Sequence, residues 1–81
     1  MKVLFRVDRK SREVVAVFPT ERNRGDILCY AHIGQHSDCC REWVTQDTRN
    51  ATPNEYAPLL AELRTIGYDD LQIIKRMPRT A

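Results

Sequence analysis

Long apolar runs are absent from this chain, and none approaches the roughly twenty residues that a membrane-spanning helix needs. The amino-terminal patch of Val3, Leu4 and Phe5 is interrupted by Arg6, Asp8, Arg9 and Lys10 before the apolar centre of a signal peptide can form, so no secretory leader is expected. Glycine is scarce. The three glycines stand singly at 25, 34 and 67, which excludes a glycine-rich loop that cradles phosphate. Lysine supplies only Lys2, Lys10 and Lys75 of the thirteen basic residues, and the remaining ten are arginine. A one-sided charge is also missing, since eleven acids leave a net charge of +2, too small to demand an anionic partner. Three cysteines cannot all pair within one molecule, and a bridge between the adjacent Cys39 and Cys40 would be strained; thiols in a reducing cytoplasm are the expectation. Asn50-Ala51-Thr52 has the form of a glycosylation acceptor, which has no use without a secretory route.

What is present suffices for one folded domain over residues 1–81. With 42% hydrophobic and 30% charged residues, the chain lies in the range of globular proteins and away from disorder. A domain of this length hides roughly two thirds of the surface of its unfolded chain, enough for one thin core and too little for a deep substrate cavity.

Alternation places the strands. Residues 2–7 set Val3, Phe5 and Val7 on one face and Lys2, Leu4 and Arg6 on the other. Residues 13–18 form a second strand that Pro19 ends by removing a ladder donor, and the polar stretch 8–12 joins the two as an antiparallel hairpin. Residues 20–26 read as a loop. Residues 27–33 alternate again, with Ile27, Cys29, Ala31 and Ile33 on one side and Leu28, Tyr30 and His32 on the other; Gly34 ends or bends this strand. Residues 35–50 lack a period long enough to assign, and Trp43 and Val44 fit either a short helical turn or a fourth edge strand.

Thr52-Pro53-Asn54-Glu55 is a capping box with proline at the first helical position. The helix it starts carries Tyr56, Leu59, Leu60, Leu63 and Ile66 as one apolar stripe and stops at Gly67. Pro58 conflicts with this, because a proline in a helix interior costs about 3 kcal/mol. Either the first turn is distorted or the regular helix begins at Pro58. Residues 71–77, centred on Ile73 and Ile74, read as a last strand. The order β-β-β-α-β gives a two-layer α+β fold, a mainly antiparallel sheet of three to five strands with one helix on one face. The opposite face is expected to stay partly open, with Leu28, Tyr30 and His32 on it.

All three cysteines and both histidines fall within residues 29–40. Cys29, His32, His36 and Cys39 run as C-x2-H-x3-H-x2-C, ligand types that zinc favours, but a strand sends Cys29 and His32 to opposite faces. A zinc-binding domain would therefore use His32, His36 and Cys39 or Cys40, with the chain folded back at Gly34. A thiol nucleophile at Cys39 or Cys40, activated by His32 or His36, lacks an orienting third group and an oxyanion site. Basic residues gather at Arg6, Arg9, Lys10 and Arg12, at Arg22 and Arg24, and at Lys75, Arg76 and Arg79. With Tyr30 and Trp43 as stacking planes these would make a weak single-stranded nucleic-acid binder, although no motif of a known nucleic-acid module is present.

Lys2-Val3-Leu4-Phe5-Arg6 with Val14-Val15-Ala16-Val17-Phe18-Pro19, then Cys29-Tyr30-Ala31-His32-Ile33-Gly34-Gln35-His36-Ser37, then Ala51-Thr52-Pro53-Asn54-Glu55-Tyr56 together carry a resemblance. They resemble a family of short bacterial proteins of unassigned function, met in mobile elements and phage-like regions. The resemblance implies a compact soluble protein, supplies no reaction or ligand, and leaves Cys39 and Cys40 outside its pattern. The functional expectation is a small non-catalytic binding or accessory module with no cofactor, no bound metal and no membrane contact. Its surface is formed by Tyr30, His32, Gln35, His36 and Ser37, which mix donors, acceptors and one aromatic plane and suit a protein partner or a small polar ligand.

Overall fold

Strand β1 (Lys2–Asp8) is buried on both faces, and this decides the architecture around it. The computed structural model describes residues 1–23, 26–31 and 35–77, with the backbone alone for 22–23, 26 and 35–38. In chain order the elements are β1, β2 (Val14–Asn23), β3 (Asp26–Ala31), β4 (Gln35–Cys39), a π-helical turn (Trp43–Asp47), β5 (Thr48–Asn50), α1 (Pro53–Thr65) and β6 (Gln72–Ile73). The sheet runs β4-β3-β2-β1-β5, and β6 pairs in parallel with the start of β1 on the edge whose other half holds β5. Every other pairing is antiparallel, so the molecule is a small α+β fold with one helix.

The hairpin reading of β1 and β2 holds, with Leu4 opposite Val17 and Val7 opposite Val14. Pro19 does not end β2. The register shifts between Phe18 and Arg22, and the proline sits in that irregularity, where a missing donor disturbs no regular ladder. The loop expected over 20–26 is accordingly strand through Asn23, and β3 begins at Asp26.

α1 starts where its capping box predicts. Thr52 Oγ1 accepts from the Glu55 amide, and Glu55 Oε1 accepts from the Thr52 amide at 2.8 Å. Pro58 lies inside the helix, which neither begins there nor breaks there. Its missing amide would have served the Asn54 carbonyl, and both residues are exposed, so water can reach the orphaned acceptor. At the other end Gly67 adopts φ +116°. Its amide donates to Arg64 O, and Tyr68 donates to Leu63 O, the pair of bonds of a Schellman stop.

Two apolar clusters sandwich the sheet. On the helix face, Val3, Phe5, Ala16, Phe18 and Tyr30 pack against Leu59 and Leu63. Tyr56 stacks on Phe5 with ring centroids 4.5 Å apart, and Tyr68 stacks on Phe18 at 5.2 Å. On the opposite face, Leu4, Val15, Val17, Ile27 and Cys29 pack against Val44, with Trp43, Ile74 and Met77 around them. The second face is therefore covered, contrary to the expectation of an open one. The cause is topological. β4 and β5 lie at opposite edges of the sheet, about 19 Å apart at the usual strand spacing, so the eight residues 40–47 between them must cross one face. They take the face that α1 leaves, and the π turn carries Val44 down onto it. The last strand, expected over 71–77, is two residues long because Ile74 and Met77 also turn onto this second face.

Candidate binding site

The alternation read from residues 27–31 is correct, but the helix takes the other side. Leu28 and Tyr30 face α1, and Ile27 and Cys29 face the π turn. Tyr30 is 1% exposed, and its hydroxyl donates to Glu62 Oε2 at 2.5 Å. It belongs to the core and not to a contact surface, which corrects its assignment as a binding residue and as a stacking plane. The reason is hydrophobic. A tyrosine opposite Ala16 in the sheet fills the space beneath Leu59 and Leu63, and one turn of helix supplies a carboxylate for its polar tip.

Of the other proposed contact residues, His32 lies outside the described residues. Gln35, His36 and Ser37 stand in β4, opposite Ala31, Tyr30 and Cys29 respectively; their side chains lie outside the description. β4 itself is the terminal strand, bonded to β3 on one edge, with no further strand on the other among the described residues. Residues 35–50, which had no readable period, thus supply an edge strand, a helical turn and β5.

All three cysteines are thiols. Cys29 is buried in the second cluster and Cys39 packs against it, while Cys40, just beyond β4, is exposed. Cys39 is thus placed as an apolar neighbour of Ile27, its partner across the ladder. Among the described residues no three His, Cys, Asp or Glu side chains come together as a metal would need. The zinc reading depends on His32 and His36, whose side chains are outside the description.

Among the described residues the basic side chains do not form one stripe. Arg6 is built into the fold: Nε donates to Thr48 Oγ1 at 2.9 Å, Nη1 to Asn50 Oδ1 at 2.6 Å, and Nη2 to Val44 O and Thr48 O at 3.2 and 2.8 Å. Burial, and then the neighbouring positive charge of Arg9, lower its proton affinity. Lys75 lies in a groove with Phe5, Asn50 and Tyr56, away from the groove at Arg9 and Arg12. The side chains of Arg22, Arg24 and Arg79 are outside the description. Trp43 packs against the second cluster and is half-buried.

Arg49, which no sequence pattern singles out, grips Glu55 with both terminal nitrogens at 2.8 and 2.6 Å. This guanidinium, followed by the Thr52 amide, lowers the Glu55 carboxyl to a pKa of about 2. The folded-state value lies below the ordinary one of about 4.3, so the ionised carboxylate favours the fold. That contribution is complete above the unfolded pKa and is lost as pH falls from about 4.3 towards about 2. Melting curves of wild type and Glu55→Gln should therefore differ near neutral pH and converge as the acid limit is approached. A constant difference across that interval would contradict the assignment.

Three surface grooves among the described residues hold about 280 to 310 Å³ each. None has a nucleophile paired with a base in its lining. No helix among the described residues is long and apolar enough to cross a membrane. No family model, curated protein or solved structure matches the chain.

Proposed function

We propose that the protein is a small non-catalytic binding module that takes up an extended segment of a protein partner along the outer edge of β4. The observation that carries this reading is the place of β4 at the end of the sheet, where one row of backbone donors and acceptors has no neighbouring strand among the described residues. Such a row is a template for strand addition, in which main-chain bonds supply affinity and the residue types along the edge supply selectivity. Gln35, His36 and Ser37 are the recognition residues in this reading, and Tyr30 supports the hairpin from below. Residues 29–31 and 35–37 of the block on which the resemblance to the short bacterial family rests lie in β3 and β4. The reading includes a cytoplasmic location, supported by three cysteines kept as thiols.

Proline at a strand position removes one backbone donor, and successive residues direct their amides to opposite edges. Of His36→Pro and Ser37→Pro, one therefore breaks the ladder to β3 and the other blocks only the outer edge. The variant that keeps the wild-type melting temperature is the informative one. It should lose a partner that the wild-type protein captures from its host's lysate, and amide exchange in β4 should slow on binding only in the wild type. Undiminished capture by that variant would end the edge reading.

A further inference from the structure

The groove at the hairpin end of β1 is lined by Val7, Asp8, Arg9, Arg12 and Arg49 and holds about 280 Å³. Three guanidinium groups thus meet one carboxylate around a single concavity. Arg9 and Arg12 are exposed, and among the described residues neither side chain has an ion pair or hydrogen bond. Arg49 is fixed: Nη1 donates to Glu55 and to Asn50 O, and Nη2 to Glu55, which leaves its Nε–H and one Nη2–H unused. Asp8 is the counterweight in the lining, with Oδ1 accepting from the Lys10 amide at 2.9 Å.

Arg12 adds an independent sign. Its φ is +64°, the only left-handed non-glycine backbone among the described residues, in a turn position where glycine or asparagine would fit more easily. Its amide donates to Asp8 O at 2.7 Å, which closes the loop and fixes where its side chain leaves the backbone. Holding an arginine there, against its backbone preference, makes sense if the guanidinium is used.

We propose that this groove binds a phosphate monoester dianion, held by Arg9 and Arg12 with Arg49 as the fixed wall. Two unpartnered planar forks match a doubly charged oxyanion with several acceptor oxygens better than a single carboxylate. A phosphodiester chain is disfavoured because the groove lining contains no aromatic ring on which a base can stack. Glu55 balances the charge of Arg49, so the excess positive charge is that of Arg9 and Arg12 over Asp8, and Arg6, bonded to neutral acceptors alone and near enough to Arg9 to feel its charge, adds to it.

The test is a titration of the ¹⁵N-labelled full chain with inorganic phosphate and with glycerol phosphate, at constant ionic strength set by chloride. Saturable shifts are expected in the amides of residues 8–13 and 48–50. Arg9→Ala should weaken binding about tenfold, the loss of one charge-assisted bond. Arg12→Gly, which suits the left-handed backbone, should keep or raise the melting temperature and yet lose binding. Asp8→Asn retains the acceptor for the Lys10 amide, removes the opposing charge and should tighten binding. Shifts that rise linearly with phosphate concentration without saturating, or affinities unchanged in Arg9→Ala and Arg12→Gly, would overturn the proposal. Equal binding of a single-stranded oligonucleotide lacking terminal phosphates would also overturn it.

Discussion

Tyr30→Ala is expected to lose about 3–5 kcal/mol of folding stability, the usual cost of removing a large buried aromatic. The ring is 1% exposed and lies in the cluster that joins Phe5 and Phe18 to Leu59 and Leu63, so its removal opens a cavity that backbone elements on both sides must hold open. Against a total of about 5–15 kcal/mol for a natural domain, that loss is a large fraction of the stability. Tyr30→Phe separates the two parts of the role. It keeps the ring and removes only the bond to Glu62 Oε2, and a bond to a charged acceptor contributes about 1.5–3 kcal/mol. Because Glu62 is half-buried and its carboxylate can turn to water, the lower end of that range is expected. Urea denaturation with an unchanged m-value is the measurement. A loss under about 1 kcal/mol for Tyr30→Ala would place the ring at the surface and restore it to the contact region.

Arg6→Met should cost about 2–4 kcal/mol, the second large effect, although no carboxylate is involved. The guanidinium ties three elements together, from β1 to the π turn through Val44 O and to β5 through Thr48 and Asn50. Thr48 is fully buried, and its hydroxyl donates in turn to Val44 O, so the loss of Arg6 strips donors from a closed polar network beside the second core cluster. Methionine keeps the apolar stem, which isolates the bonds from the packing. Arg6→Lys tests geometry against charge. One ammonium cannot reproduce a fork that reaches four acceptors, so lysine should recover less than half of the loss. Amide exchange should show residues 43–50 opening first while the β1–β2 hairpin stays protected. Full rescue by lysine would mean that the positive charge alone matters at this position.

These two residues show what could be read from the chain. Both were visible as members of alternating strands, and alternation alone fixes only that Cys29 and Tyr30, or Phe5 and Arg6, point apart. It carries no label for which side the helix will take. Arg6 looked like one of four cations near the first turn because its four acceptors lie at least 38 residues away in sequence. Pro19 illustrates the same limit: its local chemistry predicts a strand end, and pairing with β3, which resumes at Arg22, carries the chain through a bulge instead. β4 was hidden because Gln35-His36-Ser37-Asp38 contains no apolar residue from whose alternation a period could be read.

Pieces whose causes are local could be read from the residues alone. The capping box at Thr52, the left-handed stop at Gly67, the first hairpin, the alternation of β3 and hence an α+β sheet with one helix all follow from bonds and sterics within a few residues. Which face of β3 meets the helix, where the 40–47 crossing runs and which arginines serve the fold emerge only when the layers assemble. Those outcomes depend on how two apolar surfaces are shared among elements distant in the chain, and burial is a property of the assembled layers, not of any one segment.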